Sequence, residues 1–473
     1  MTDACNAQEK AMFAATASLC PICLRRIDAF YQERRGNLFL VKNCPEHGSF
    51  RAPVWRAGSR RQWSMANWLH RAGYQKPPKQ DARADDCPFA CGLCQEHQQR
   101  TCTALIEVTK RCDLACPVCY ADACLPRQAG PEQADEPSLA RIAFLYDRII
   151  AAGRGNIQLS GGEPTMRRDL AEIIALGRDK GFSFIQLNSN GLRLAADPAY
   201  GRELRRAGLS SVFLQFDGVS AATHLALRGR DLRRVKKRAI EHCAEAGLGV
   251  VLTATLVPGV NTCEIGDIIR YAAALVPTVR GVHFQPRSLF GRYPADDRRR
   301  LTLPELLAFI EAQTPIAAEH LKPPGCEHPL CSFHGGFIID NNGLPQPFPE
   351  HESMNAPCRC DAATATPLVN TIIDVRAARD RSVATTARLW SPINTAAAQQ
   401  PDDFDRILAL KNRQLSISAM AFQDVWNLDL ERLRRCCIHV AAPDGRLIPF
   451  CAWNLTAQDG RPLYRGASAG RPI

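Results

Sequence analysis

The chain has 473 residues, 46% of them hydrophobic and 23% charged, with 21 cysteines and a formal net charge of +11. This composition excludes a disordered chain and, at about 100–200 residues per domain, leaves room for a large core with appended modules. The opening MTDACNAQEKAMFAATASLC has neither a basic start nor a long apolar run, and no apolar stretch approaches the ~18 residues of a membrane span; a cytoplasmic protein is expected, and a secreted disulfide framework is not.

The thiols therefore read as metal ligands. The positive balance would suit nucleic acid, a phosphorylated small molecule or an acidic lipid surface. Its densest clusters, RRVKKR at 233–238 and DDRRR at 296–300, fall in or beside helix-like segments and read as solvated faces.

Residues 1–102 form a cysteine-rich N-terminal module. CPIC (Cys20, Cys23) and CPEHG (Cys44, His47) make a knuckle pattern, since such pairs present sulfurs on one turn to a tetrahedral ion; zinc or a rubredoxin-like iron would both fit. The stretch RRQWSMANWLHRAGYQK interleaves Trp63, Trp68 and Tyr74 with Arg60, Arg61, Arg71 and Lys76, as an interfacial helix would; packing of the tryptophans onto the core explains it equally well. A polar linker, GYQKPPKQDARADD, leads to CPFACGLC, with Cys87, Cys91 and Cys94, and Cys102 stands near enough in sequence to be a fourth ligand.

From 103 to 315, β-rich runs alternate with amphipathic stretches, which predicts an α/β fold of parallel strands with helical crossovers. Strands are expected at Ala104–Thr109, Asn156–Ser160, Phe184–Ser189, Ser211–Phe216, Val250–Val257 and Val282–Pro286. Six units fit a partial (βα)6 TIM-like barrel, whose working residues gather after the C-terminal ends of the strands. Cys112, the GGEP segment, Asn190 and Asp217 all fall at that rim.

After the first strand, CDLACPVCY places Cys112, Cys116 and Cys119 in a CX3CX2C spacing. Three thiolates on a short loop can hold three irons of a four-iron, four-sulfur cube and leave the fourth iron open to an amino and carboxylate chelate. SGGEPT follows the second strand: Gly161 and Gly162 permit close backbone approach, and Glu163 can accept from a ligand ammonium.

Residues 316–473 carry further thiols. Cys326 and Cys331 in GCEHPLC combine in this reading with Cys436, Cys437 and Cys451 as another cluster site, with one of the adjacent pair spare and with Cys358 and Cys360 as alternatives. The Ala/Thr/Gln-rich region at 385–400 reads as a mobile loop. Cys5, Cys124, Cys243 and Cys263 read as structural.

CDLACPVCY, GGEP one unit later and LNSNG after the third strand together resemble the radical S-adenosylmethionine superfamily over about 103–313. The resemblance implies a SAM-binding 4Fe-4S cluster on Cys112, Cys116 and Cys119, reductive cleavage of S-adenosylmethionine to a 5'-deoxyadenosyl radical, Tyr120 beside the adenine, and Gly161, Gly162, Glu163 and Pro164 at the methionyl end. Asn188, Asn190, Gln215 and Asp217 are weaker candidates for ribose or substrate contacts, against plain turn or strand-end hydrogen bonds. For Cys87, Cys91 and Cys94 an auxiliary cluster is expected rather than a second radical-generating site, because no barrel of its own follows.

The whole succession of cysteine motifs resembles a narrower group, the multi-cluster enzymes without a cobalamin domain that include tetraether lipid synthase and 7,8-dihydro-6-hydroxymethylpterin dimethyltransferase. That implies one or two auxiliary clusters and C-C bond formation, by methylation or alkyl-chain coupling, on a lipid or pterin-type small molecule. An electron donor such as ferredoxin or flavodoxin is implied, and a lipid substrate would bring peripheral contact with the inner membrane surface. A lipid enzyme needs a long apolar tunnel; a pterin enzyme needs a compact polar pocket with aromatic stacking. The alternatives are a radical maturase acting on a peptide and, from another class, a zinc-rich nucleic-acid-binding protein, which would leave the GGEP segment and the barrel alternation unexplained. No nucleic-acid partner is expected.

Overall fold

The structure, a computed structural model, describes residues 12–71, 87–94, 96–123, 136–153, 155–294, 298–347, 383–391 and 412–465. Tyr74, Lys76, the linker at 73–86, Cys5, Cys124, Cys358 and Cys360 lie outside the described residues.

The chain opens with a four-stranded antiparallel sheet paired in chain order: β1 (Met12–Leu19), β2 (Arg26–Arg34), β3 (Asn37–Cys44) and β4 (Gly48–Arg56). Arg35 and Gly36, at φ 51° and 74°, close the β2 to β3 hairpin with the two-residue turn whose twist matches that of the strands. The sequence reading found the metal knuckle here but not this sheet.

The six expected core strands form within three residues of their anticipated bounds: β5 (Thr103–Thr109), β6 (Asn156–Gly161), β7 (Ile185–Ser189), β8 (Ser211–Gln215), β9 (Gly249–Leu256) and β10 (Val279–Pro286). Each pairs in parallel with the next. Helices over Leu139–Ala151, Leu170–Asp179, Arg233–Glu245, Ile265–Ala273 and Leu303–Gln313 fall on the expected amphipathic segments.

Five strands join this sheet downstream of the sixth unit: β11 (Ser332–Ile339), β12 (Pro345–Pro347), β13 (Gln414–Met420), β14 (Ile438–Ala441) and β15 (Leu447–Pro449). β13 pairs in parallel with β10 at one edge of the six, and β14 pairs in parallel with β5 at the other. The result is one open sheet of eleven strands, ended by β12 and β15.

Successive strand residues point to opposite faces. Toward the helices go Ile157, Leu159, Leu187, Val212, Leu252 and Phe284, all in the main core. The opposite face, the concave lumen, receives the residues between them, among them Gln158, Gln186, Asn188, Ser211, Thr253 and His283, which are absent from that core.

One open choice is decided and two expectations are corrected. Trp63 and Trp68 are fully buried, Trp68 packs on Trp55 with centroids 5.4 Å apart, and its Nε1 donates to the Pro329 carbonyl at 2.8 Å, so these rings are core and not an interfacial face. Lys236 in RRVKKR is likewise fully buried. The start of the region read as a loop, 385–390, is the end of a helix over 383–390. Among the described residues no helix is long and apolar enough to cross a membrane.

Candidate active site and metal centres

The loop after β5 carries Cys112, Cys116 and Cys119, which pack together with Leu114 and Leu232 beneath them. Burial pushes the Cys112 thiol up to about 12 and raises Cys116 as well, the penalty that a bound cation removes by taking the thiolate. The loop is gripped from several strands. The Gly162 amide donates to the Thr109 carbonyl and the Glu163 amide to the Arg111 carbonyl, each at 2.8 Å. A side chain at Gly161 would strike the Thr109 carbonyl and one at Gly162 the Arg111 carbonyl, so the glycine pair is required for this approach.

The Glu163 side chain does not reach outward as expected. Its carboxylate accepts from the Thr165 amide at 3.1 Å, the Thr165 hydroxyl at 2.7 Å, the Ser189 hydroxyl at 2.9 Å and the Asn190 amide at 2.7 Å. It braces β6 against β7, and burial pushes its carboxyl up. Pro164 opens the short 3-10 turn that follows. Asn190 is tied to the cysteine loop, its Nδ2 donating to Asp113 at 2.6 Å. The Tyr120 hydroxyl meets the Ser160 hydroxyl at 2.8 Å, and Asn188 donates to the same Ser160 at 3.2 Å.

Asp217 and Gln215 are held by a residue the sequence reading missed. Arg228, itself buried, forms a two-pronged pair with Asp217 at 2.7 Å for both contacts and donates to the Val118 carbonyl in the cysteine loop at 2.9 Å. With its amide oxygen turned toward the guanidinium, Gln215 accepts from Arg228 at 2.9 and 3.0 Å. Burial alone would raise Asp217, but Arg228 holds it below the usual carboxylate range. Asp217 thus anchors the cluster loop rather than facing a ligand. Arg292, beyond β10, closes the grip by donating to the carbonyls of Cys116 at 2.9 Å and Ala123 at 3.0 Å. Nothing local in ALRGRD or FGRY marks either arginine, because both reach the cysteine loop across more than a hundred residues of chain, although Asp217 lies only 11 residues from Arg228.

Among the described residues, two sets of ligand atoms converge within 4.8 Å: Cys20, Cys23, Cys44 and His47, and Cys102, Cys326, Glu327 and Cys437. The first is the knuckle, with the His47 Nδ1 at 3.4 Å from the Cys44 sulfur and 3.7 Å from that of Cys20. Convergence that tight suits a single tetrahedral ion. The second corrects the placing of Cys102 and keeps the expected pairing of Cys326 with Cys437. Cys102 lies not with the Cys87 loop but 3.0 Å from the Cys437 sulfur, and Cys326 is 3.6 Å from Cys437. Hydrogen bonds from Cys326 and Cys437 pull the Cys102 thiol down to about 6.

Cys436 turns the other way, as the neighbour of a residue in non-helical backbone does. It interacts electrostatically with Cys331 and Cys451, beside the Arg432 guanidinium, which donates to the Cys331 sulfur at 3.3 Å. Among the described residues Cys437 thus joins Cys102 and Cys326, whereas Cys436, whose thiol donates to the Ile438 carbonyl at 3.1 Å, lies outside that group. Cys87 and Cys91 share a packed cluster with Cys451, Tyr120 and Phe450 and are hydrogen-bonded to each other, which draws Cys87 down to about 7; Cys94 is exposed. Buried soft thiolates in these numbers fit iron-sulfur clusters or zinc.

The radical SAM superfamily model matches residues 106–272, and the model described as the HMPTM N-terminal zinc ribbon domain matches residues 12–56. The 7,8-dihydro-6-hydroxymethylpterin dimethyltransferase of Methanocaldococcus jannaschii is 35% identical over 93% of this chain and 93% of its own. A probable GTP 3',8-cyclase of Methanothermobacter thermautotrophicus is 29% identical over 37% of this chain and 55% of its own. Among solved structures, Streptococcus suis SuiB bound to S-adenosylmethionine superposes with a TM-score of 0.38 at 13% identity, covering 45% of this chain and 47% of that one. The chain is a radical S-adenosylmethionine enzyme and belongs to the family that includes the M. jannaschii pterin dimethyltransferase.

Proposed function

We propose that the chain transfers methyl groups to carbon on a pterin-type ring. When bound on Cys112, Cys116 and Cys119, the cluster with S-adenosylmethionine supplies a 5'-deoxyadenosyl radical; the protein's part is to orient the reactants and exclude water. The observation that carries the choice of substrate is the polarity of the lumen. The inward positions Gln158, Ser160, Gln186, Asn188, Thr253 and Ser418 are polar, with Leu105, Val251 and Phe213 as apolar neighbours, whereas a passage for alkyl chains would be aliphatic along its length. The 35% identity to a pterin dimethyltransferase supports the same reading. A low-potential donor such as ferredoxin or flavodoxin would feed the clusters, and Cys102, Cys326 and Cys437, with Cys331, Cys436 and Cys451, would hold auxiliary clusters.

Because the S-adenosylmethionine cleaved to the radical leaves with its methyl group on methionine, the test is to reconstitute the chain anaerobically and supply S-adenosylmethionine, a reductant, a separate one-carbon donor of the methylenetetrahydrofolate class and 7,8-dihydro-6-hydroxymethylpterin. The expected product is heavier by one CH2 for each hydrogen replaced by methyl, with 5'-deoxyadenosine formed alongside. Abundant 5'-deoxyadenosine without a pterin product, together with altered lipids in a deletion strain, would overturn the substrate.

A further inference from the structure

Deep in the lumen the polar lining gives way to three rings. Phe213 projects inward from β8 between the core residues Val212 and Leu214, and His283 projects from β10 between Val282 and Phe284. Their centroids are 5.3 Å apart. Trp390, at the end of the helix over 383–390, completes the group at 5.7 Å from Phe213 and 6.2 Å from His283. Asn156 Nδ2 donates to the Val383 carbonyl at 3.3 Å and Arg280 Nε to the Leu389 carbonyl at 3.1 Å, both from the N-terminal ends of barrel strands. The helix therefore closes the mouth opposite the cysteine loop and carries Trp390 in as a floor, its Nε1 fixed on the Ser416 hydroxyl at 3.0 Å.

Polar atoms without a partner accompany the rings. The Thr253 hydroxyl is buried and has no hydrogen bond in a residue only 7% exposed, and the buried Oδ1 of Asn188 has none either. Thr253 stands directly between Gln215 and His283 in the register of β8, β9 and β10. Natural interiors rarely leave such groups unpaired unless something else meets them. The His283 Nδ1 is engaged by the Ser418 hydroxyl at 2.9 Å, which leaves Nε2 as the nitrogen for a ligand, and burial holds the ring neutral by drawing it down to about 4.

We infer that Phe213, His283 and Trp390 form the seat for the substrate's planar heterocycle, with the Thr253 hydroxyl and the Asn188 carbonyl oxygen bonding its amide and amino edge. Tilted rings at these separations offer faces to a flat π-system, and orphan polar atoms beside them reject an alkyl chain, which would leave both unpaired. The inference rests on the pterin reading and names the residues that confer it.

The test measures binding of 6-hydroxymethylpterin, an oxidised fluorescent probe, to the reconstituted full chain by equilibrium dialysis, with iron content and melting temperature recorded for every variant. Trp390→Leu and His283→Leu are expected to weaken the probe ~10-fold or more, and Trp390→Phe to restore most of the loss because stacking survives. Thr253→Val is expected to weaken the probe ~10-fold while raising the melting temperature of the ligand-free protein, since it deletes a hydroxyl that only the ligand satisfies. A merely structural threonine would lose stability instead. Should Trp390→Leu fail to fold, the Thr253→Val and Trp390→Phe measurements still decide. Unchanged binding in folded Thr253→Val and His283→Leu would overturn the seat while the pterin reading stands. Absence of binding to the unsubstituted chain would overturn the pterin reading and the seat with it.

Discussion

Arg228 and Asp217 form a buried pair, with side chains 3% and 0% exposed, in which the guanidinium also spans to the cysteine loop. Removing one partner of such a pair leaves the other charge uncompensated in low dielectric. Arg228→Gln is expected to cost about 3–5 kcal/mol in urea unfolding and to lower iron on the Cys112 loop, while Asp217→Asn combined with it regains part of the stability. An additive double variant would show that the two do not act as a pair. The motif cysteines and the glycine pair were legible because their chemistry is local. Arg292, Lys236 and the reach of Arg228 to the loop were not, because the partners at Cys116, Asn190 and Val118 lie far off in sequence, and nothing in the spacing of Asp217 and Arg228 announces their pairing. The split between Cys436 and Cys437 was also hidden, since sequence gives adjacency but not direction. It makes its own prediction: Cys436→Ser and Cys437→Ser each deplete a different centre, so iron per chain falls further in the double variant than in either single one. Equal iron in all three would return the downstream thiols to one site.

The six core strands were readable because helix-facing aliphatics alternate with mostly polar or aromatic lumen residues, and the intervening helices because apolar residues recur at helical spacing. β13, with sequence QLSISAM, obeys the same alternation, Leu415, Ile417 and Ala419 facing the helices, but its parallel partner β10 lies more than a hundred residues upstream. The turn between β6 and the short 3-10 helix depends on a glycine. Gly161 sits at φ 125°, so Gly161→Ala is expected to cost about 1–3 kcal/mol from backbone strain alone and to push the Thr109 carbonyl aside, lowering cluster occupancy. The ribbon is joined to the downstream region through Lys42, fully buried, whose Nζ donates to the Leu19 carbonyl at 2.7 Å and the Val425 carbonyl at 2.5 Å. Burial lowers its amine from 10.5 to about 7. Between those values the unfolded chain holds a proton that the folded chain releases, so this residue's contribution to stability rises with pH from about 7 toward 10.5. Urea titrations at pH 7 and pH 9 should show a smaller gain for Lys42→Met than for the unsubstituted chain; an identical gain would mean the amine keeps its proton.

Across the whole molecule, one tail secures both sides of the catalytic sheet. β13 covers the β10 edge and β14 the β5 edge, and both come from residues 414–441. The same segment supplies Cys436, Cys437 and, just beyond, Cys451, so sheet edges and metal ligands arrive together. Parallel sheets in such folds are covered, and an open edge strand is a template for pairing with another chain. The consequence is a cooperative dependence that the division into 103–315 and 316–473 does not convey. A chain ending at residue 411 keeps all six core strands and the Cys112 loop, yet loses both edge partners and the thiols that meet Cys102 and Cys326. It is expected to aggregate when expressed anaerobically with iron, and to show no single unfolding transition in whatever remains soluble. A soluble monomer of that length with one sharp transition and a filled Cys112 site would mean that the core folds alone and the tail is merely docked on it.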